Sequence, residues 1–496
     1  MRRIFSHPVT PLFFGLCLRL LLVLRVPATS GDTVLYEQMA TNWLKHGVYA
    51  MEVNGAIQPV DLRMPGYPGY LALVYWLTGK TGEAARIAVL LGQVAVDLLG
   101  CLVIAALAVV LLIPAAQRAG AGRRVFMAAL WLAALCPFTA NYTAVPLTET
   151  LAVFLTGLAT VLFVLLLQTY ACGVFFSLPI RSERARAFVV RNSVRFLLFT
   201  PGFVVGVATL FRPESPILLA VGLMVLASAI GLRSEWKVFL RIAAISACAC
   251  VAPLLPWAVR NFVTLHEVQF LAPKNSNLPG ELVPYGFMAW EKTWLFRVKD
   301  CYLVPWKLNG EPIDVETIPA RAFDTAEEKR RVAAILEPYN EDLTLTKEQD
   351  DAFAQLARKR TARHPLRTYV WLPALRALTM WFAPRIELLP VSGTVFPLAQ
   401  SWEDDKIDQG VTVGVFLMNI LYVGLAILGA WQLWRAGAAA RPALALVIAF
   451  IVLRTAFLTT LETPEPRYVL ECFPAVIALG ALAFARGKPL STAATS

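Results

Sequence analysis

Charged residues are scarce in this 496-residue chain, at 16% of the total, and histidine occurs only four times. A soluble domain carries about a quarter charged residues, because its whole surface must be wetted. So little charge, set against 57% hydrophobic residues and a mean hydropathy of +0.60, excludes a cytosolic enzyme and a disordered chain. Cysteine chemistry is equally thin. The eight cysteines form no Cys-x-x-Cys pair and have no histidines at zinc spacing, which excludes a disulfide-rich secreted module and a zinc-finger-like site. Cys17, Cys101, Cys136, Cys248, Cys250 and Cys472 lie inside apolar runs and read as small membrane-helix residues, whereas Cys301 sits in a long polar loop. No internal repeat and no low-complexity segment is present. What remains is a polytopic membrane protein.

A spanning helix needs about 20 apolar residues. Ten segments qualify: 7–26, 84–113, 124–141, 145–168, 196–211, 214–232, 239–258, 411–434, 442–460 and 467–485. Arg19 and Arg25 interrupt the first run, which reads as an uncleaved span rather than a signal peptide. With the N-terminus inside, the short inner segments hold 17 lysines and arginines, among them Arg2, Arg3, Arg118, Arg123, Arg124, Arg181 and Arg486, against two acids, Glu183 and Glu235. The short outer segments hold only Lys45, Arg63, Lys80, Arg212 and Arg467. This asymmetry predicts cytoplasmic N- and C-termini. It also accounts for the net charge of +11 without a nucleic-acid partner. Two outer regions are large, 27–83 and 259–410. The second holds 19 basic and 21 acidic residues. Thr346 with Gln349 forms a capping box before a helix that ends at His364-Pro365, and Thr325 with Glu328 forms another before a helix expected to stop ahead of Pro338. Residues 366–383, with Arg367 and Arg376, predict a helix lying along the interface.

Chemistry-bearing residues gather at one depth, the outer boundary. Asp32 follows the first span and opens an amphipathic helix whose apolar face is Leu35, Tyr36, Met39, Ala40, Trp43 and Leu44. It suits an N-cap and equally a general base; the two are not exclusive. Arg63 opens Arg63-Met64-Pro65-Gly66-Tyr67-Pro68 and the short apolar stretch 66–78, as a snorkelling anchor or a site cation. Glu149 sits at the outer end of the fourth span, where a carboxylate flanked by apolar helix faces a partner or a functional site. Arg212, in Phe211-Arg212-Pro213-Glu214, is suited to phosphate or to pairing with Glu214 or Glu149. Trp257, in Pro256-Trp257-Ala258-Val259-Arg260-Asn261, reads as an interface-belt aromatic. Glu462, Glu465, Arg467, Tyr468 and Glu471 cluster at the start of the last span. Arg19, Asp97 and Arg454 lie deeper and read as paired structural residues or cavity walls.

These elements, in this order, resemble the GT-C superfamily of membrane glycosyltransferases, in particular the protein O-mannosyltransferase and lipid A aminoarabinose transferase group. Gly31-Asp32 is similar to the family's first-loop acidic motif. Arg63 to Pro68 resembles its basic-Pro-x-Tyr-Pro element, and Leu147-Thr148-Glu149-Thr150-Leu151 its second acid. Phe211 to Glu214 resembles its Arg-Pro-Glu turn, and Pro256-Trp257 with Arg260-Asn261 its Pro-Trp-x-x-Arg-Asn. Arg363-His364-Pro365 with Trp381, and Glu465-Pro466-Arg467-Tyr468, match later landmarks.

The resemblance implies an all-α polytopic fold of the GT-C type with about ten transmembrane helices and juxtamembrane helices in the first outer loop. Its organisation would be a catalytic membrane module (1–258), a mostly helical extracytoplasmic segment (259–410) that shapes the acceptor site, and C-terminal membrane helices (411–496). It implies a polyprenyl-phosphate-linked sugar as donor and an extracytoplasmic glycan, glycolipid or protein as acceptor, in the bacterial inner membrane, with no nucleic-acid partner. Asp32 would be the base and Glu149 its support; Arg63, Tyr67, Arg212, Arg260 and Arg467 would bind the donor and its phosphate. One base and no covalent nucleophile suggests inversion. A divalent cation is a candidate cofactor with Asp32, Glu149, Asp61 and His266 as weak candidate ligands, although the first loop has no Asp-x-Asp pair and Leu62 precedes Arg63 where some relatives carry a metal-binding acid. The alternatives are a secondary transporter, disfavoured by the missing repeat, and a non-catalytic subunit of an envelope polysaccharide pathway, which needs no Asp32 and Glu149 together.

Overall fold

The computed structural model describes residues 7–112, 121–171, 183–275, 277–278, 281–393, 395 and 405–485, with side-chain surroundings defined for these apart from 171–194 and 232–233. Arg2, Arg3, Arg118, Arg181, Arg486 and Lys488, on which part of the charge asymmetry rests, lie outside the described residues. The chain forms two compact units: Met1–Pro273 with Ile386–Ile451 and Leu470–Ser496, and Lys274–Arg385 with Val452–Val469.

The first unit opens with α1 (Val9–Arg25) and α2 (Gly31–His46). A two-stranded antiparallel hairpin follows, β1 (Ala50–Val53) and β2 (Ala56–Pro59), paired Ala50 to Pro59 through Val53 to Ala56. Asn54 and Gly55 make its tight turn, both with positive φ (53° and 77°), the chemistry a two-residue hairpin loop demands. Next come α3 (Gly66–Thr78), α4 (Arg86–Leu112) and α5 (Ala121–Ala134). Beyond α5 the chain bends by 46° into Pro137–Ala144. The unit continues with α6 (Glu149–Ala171), α7 (Glu183–Thr209), α8 (Pro216–Ile230), α9 (Leu232–Val251) and α10 (Leu255–Leu265).

The bend after α5 has an identifiable support. Arg19 of α1 is fully buried and pairs with Asp97 of α4. Its remaining donors reach the carbonyl oxygens of Ala134 at 2.7 Å and Gly15 at 2.9 Å. The guanidinium thus caps the last turn of α5, and the expectation that Arg19 and Asp97 are paired structural residues is what the side chains show. Helices α7 and α9 meet backbone to backbone at Gly202 and Gly206, where an added Cβ would stand 2.1 Å from the carbonyl oxygens of Ser246 and Cys250. This is the small-residue contact that membrane helices use in place of a hydrophobic driving force.

The second unit has its own core, built on Phe287, Trp290, Trp294, Val332, Leu336, Tyr339 and Phe353. These come from α11 (Tyr285–Glu291), α12 (Ala326–Asp342) and α13 (Lys347–Arg363). The Thr346–Gln349 capping box is formed in both directions, at 2.8 and 3.3 Å. At Thr325 the box is shifted: Thr325 accepts from the Glu328 N–H at 3.1 Å, while the Glu328 carboxylate accepts from the Asp324 N–H at 2.6 Å, one residue early, and from Arg360 at 2.8 Å. Helix α12 does not stop before Pro338 but runs through it. The missing N–H is offset by the next two residues. The Tyr339 hydroxyl donates to the Glu311 carbonyl (2.9 Å), and the Asn340 amide bonds both main-chain groups of Ile313 (2.8 and 3.1 Å). Helix α14 (Leu372–Phe382) follows a π-turn at Arg367–Trp371. Leu366, Tyr369, Trp371 and Leu378 stay exposed there.

Chain return to the first unit brings α15 (Lys406–Arg435), α16 (Arg441–Leu458) and α17 (Phe473–Leu482). Five described helices are long and apolar enough to cross a bilayer, Gly82–Leu112, Glu149–Tyr170, Ser234–Leu265, Lys406–Arg435 and Ala438–Leu458, and a sixth if the bent α5 pair counts as one span. Helix stands at each of the ten expected segments, but others are shorter, α1 at 17 residues and α8 at 15. The protein is an all-α polytopic membrane protein. Large apolar side chains exposed along α15, including Leu421, Ile427, Leu428, Trp431 and Trp434, are surface that water would not tolerate in such density and lipid does.

Candidate active site

Helix α2 begins one residue before Asp32. Ser30 is its N-cap residue in extended backbone, and the Ser30 N–H donates to Thr33 Oγ1 at 3.1 Å. Asp32 is therefore a first-turn residue and not the cap. Its carboxylate is favoured there by the helix dipole and remains available to partners. Thr33, beside it, donates its hydroxyl to the Pro146 carbonyl at 3.2 Å, and the Ala28 N–H donates to the Ala144 carbonyl at 3.0 Å. These bonds dock the start of α2 on the backbone that leads into Glu149, the first residue of α6.

Arg63 reaches Asp32 from the far side of the hairpin. Its Nη2 lies 2.9 Å from Asp32 Oδ1, and both side chains are partly exposed, 33% for Arg63 and 24% for Asp32. The Arg63 main chain is held in turn: its carbonyl accepts the Tyr49 hydroxyl at 2.9 Å. Tyr49 packs edge-on against Trp43 and Trp257, with centroids 5.4 and 5.1 Å away. Burial lowers the Arg63 pKa, but Asp32 together with Tyr36 and Tyr49 raises it, and the net direction is upward.

The link to the next motif is a single close approach. The Gly66 N–H donates to the Leu210 carbonyl at 2.7 Å, and an added Cβ at Gly66 would stand 2.5 Å from that oxygen. Any larger residue would lift α3 off the 208–213 turn that carries Arg212. Arg212 is 16% exposed and lies between two acids that are nearly fully buried. Its Nη2 is 2.7 Å from Glu149 Oε1 and its Nε 3.5 Å from Glu471 Oε1. Thr156 donates to the other oxygen of Glu471 at 3.3 Å. The pairing of Arg212 with Glu149 that the sequence allowed is formed.

Tyr36 ties the two ion pairs together. It is buried, packs edge-on against Tyr67 at 5.1 Å, and its phenol is pushed up to about 12, by burial first and then by Asp32, with Arg63, Arg212 and Glu149 also within electrostatic reach. Asp32, Arg63, Glu149 and Arg212 therefore all act electrostatically on one tyrosine. Tyr67 supports it from behind: fully buried, it donates to Gln93 Oε1 at 2.7 Å, and Gln93 donates to the Val145 carbonyl at 2.9 Å.

The other expected site residues have partners of their own. Arg260 donates to the carbonyl oxygens of Val60 (2.9 Å) and Tyr49 (2.5 Å) and to Asn261 Oδ1 (2.9 Å), with its guanidinium over the rings of Tyr49 and Trp257. It clamps the hairpin. Trp257 is buried at 5% exposure and is no interface-belt residue; its ring is part of that clamp. Arg467 lies in the second unit and pairs with Glu465, Nε to Oε2 at 2.6 Å. Asp61 accepts from Gln269 at 3.0 Å. His266 is exposed, at the left-handed end of α10. Among the described residues no group of three or more His, Cys, Asp or Glu side chains could hold a metal ion. Each carboxylate weighed for that task is engaged by a nitrogen donor, so the residues do not fit a cation cage. Glu471, Tyr36 and the hairpin are parts of the site that the sequence reading did not assign. The Asn54-Gly55 pair signals the hairpin; nothing local singles out Glu471 as a partner of Arg212.

No protein-family model matches the chain, and no curated protein matches it. Among solved structures, the chain is similar to the oligosaccharyltransferase AglB of Archaeoglobus fulgidus in complex with an inhibitory peptide and a dolichol-phosphate. The TM-score is 0.48 and the identity 11%, over 96% of this chain and 50% of that one. It is also similar to ArnT of Cupriavidus metallidurans bound to undecaprenyl phosphate, with a TM-score of 0.40 and 16% identity over 96% of this chain and 77% of that one. The chain spans about half the length of the oligosaccharyltransferase.

Proposed function

We propose that this protein is an integral-membrane glycosyltransferase of the GT-C type, transferring a sugar from a polyprenyl-phosphate donor to an extracytoplasmic acceptor. The observation that carries the reading is the set of ion pairs around Tyr36. Four residues from four separate motifs form two ion pairs, Asp32 with Arg63 at the start of α2 and Glu149 with Arg212 at the start of α6, and both pairs act electrostatically on Tyr36. These are the same motifs that bear the sequence resemblance.

In this reading Asp32 is the base. It is the more exposed of the two motif acids, so an acceptor hydroxyl can approach it. The acceptor oxygen attacks the anomeric carbon as its proton passes to Asp32. The new carbon–oxygen bond forms as the bond to the phosphate oxygen breaks, and the lipid phosphate leaves with the electron pair. Attack opposite the leaving group inverts the sugar carbon. Arg63, bound to Asp32, orients the carboxylate and offers positive charge to the phosphate as it departs. Glu149 is a positioning residue. Nearly fully buried, it holds Arg212 together with Glu471 and does not itself meet substrate. Arg260 and Tyr67 likewise act through the hairpin and Tyr36.

The test is direct. Purified protein in nanodiscs, given a polyprenyl-phosphate-linked sugar and envelope glycan acceptors, should release polyprenyl phosphate and a glycosylated product. Transport of the donor or acceptor with no new glycosidic bond would overturn the reading.

A further inference from the structure

The second unit carries an unbalanced positive cluster that the proposed transfer does not use. Arg376 is 2% exposed, yet its guanidinium donates only to carbonyl oxygens: Lys292 (2.6 Å), Leu295 (2.9 Å) and Thr459 (3.3 Å). No carboxylate lies in salt-bridge reach of it among the described residues. A buried cation held by dipoles alone is costly unless further negative charge comes near. Two lysines stand beside it and share one acid. Lys292 Nζ is 2.7 Å and Lys274 Nζ 3.5 Å from Glu462 Oε1. Lys274 is 53% exposed and Lys292 31%, so this face is open. The other acid in range, Glu291, is 2% exposed, and its Oε1 has no hydrogen-bond partner.

We propose that Lys274 and Lys292, with Arg376 behind them and Glu462 as the occupant's competitor, form a binding site for a phosphate monoester. Three cations against one carboxylate leave an excess close to two positive charges, which matches the charge of near −2 that a monoester carries at neutral pH. Lysines suit it, because a phosphate is gripped by ammonium groups as point charges from several directions. Burial, reinforced by the nearby Glu462, holds the Glu291 carboxyl well above the usual carboxylate range. Burial thus works against a negative charge on Glu291, in the direction that favours the excess. The monoester is either the headgroup of a lipid phosphate or a free phosphate compound.

The full chain in zwitterionic nanodiscs is titrated with two probes, inorganic phosphate and farnesyl phosphate, at low salt. The site predicts that Lys274→Gln with Lys292→Gln weakens binding about tenfold or more. It also predicts that Glu462→Gln tightens binding, because the competing carboxylate is gone. Binding of farnesyl phosphate alone assigns the site to a lipid headgroup; binding of inorganic phosphate alone assigns it to a soluble compound. If the double variant does not fold, Lys274→Gln on its half-exposed side chain serves instead, with a smaller loss. Unchanged affinity in the lysine variants, or no gain in Glu462→Gln, overturns the proposal. The Glu462→Gln gain is independent of sugar transfer, so the site stands or falls apart from the enzyme reading.

Discussion

Arg212 and its two acids form a unit whose energetics follow from two distances. Glu149→Gln removes the 2.7 Å contact and leaves Arg212 with the 3.5 Å contact to Glu471. Removing one partner of a buried pair costs about 3–5 kcal/mol when the other charge is stranded. Here Glu471 shares the load, so a value near 3 kcal/mol is expected. Glu471→Gln removes only the longer contact, and a loss of about 1–2 kcal/mol follows. The double variant removes both of these contacts from Arg212. Its cost should exceed the sum of the singles by about 1 kcal/mol or more, since the two acids share one partner. The assay is thermal unfolding of purified protein, followed by a thiol-reactive fluorophore that reports exposure of the buried Cys101, Cys136 and Cys472. Equal losses for the two single variants, or a strictly additive double variant, would refute the shared clamp.

Arg260→Lys keeps the charge but loses the bonds to the Val60 and Tyr49 carbonyls and the flat stacking on Tyr49 and Trp257; unfolding should show a loss of roughly 1–3 kcal/mol with donor KM unchanged, whereas a large rise in KM would make Arg260 a donor ligand. The Tyr36 phenol is pushed up to about 12, above its value in the unfolded chain. The unfolded chain thus releases that proton first, and stability contributed by neutral Tyr36 is present below pH ~10 and lost as the pH climbs towards 12. Tyr36→Phe should flatten that part of the stability profile; an identical profile would remove the burial account. The topology is tested by thiol labelling of single-cysteine variants, with position 340 expected to label from outside and position 186 from inside, and the reverse pattern would invert the chain.

Much of this architecture is legible in local patterns, because local forces write it. The Thr346–Gln349 box, the helix around Asp32 and the short helix from Gly66 depend on residues three or four apart, and each forms where the spacing predicts one. Departures arose where distant partners decide. Pro338 should end its helix, but Tyr339 and Asn340 are anchored to a loop some 30 residues away. Trp257 reads as an interface residue until the hairpin closes over it. The motif residues were visible one by one. Their pairing was not, because Glu149, Arg212 and Glu471 are separated by 63 residues in one case and by most of the second unit in the other. No local rule tells an arginine which carboxylate it will meet across a membrane bundle.

The role of Asp32 is the centre of the account, and Asp32→Asn isolates it. Asparagine has the same size and can still accept the bond from Arg63 that Asp32 accepts at 2.9 Å. The cap belongs to Ser30, so folding and membrane insertion should be preserved. Loss of a positioned general base removes about 10²–10⁴-fold of rate. The measurement is turnover of a polyprenyl-phosphate-linked sugar by purified wild type and Asp32→Asn in nanodiscs, with unfolding temperature checked in the same preparations. A folded variant with a rate lower by at least about 100-fold is the predicted result. A folded variant that turns over at close to the wild-type rate would contradict it and leave Asp32 as a helix-terminus charge paired to Arg63.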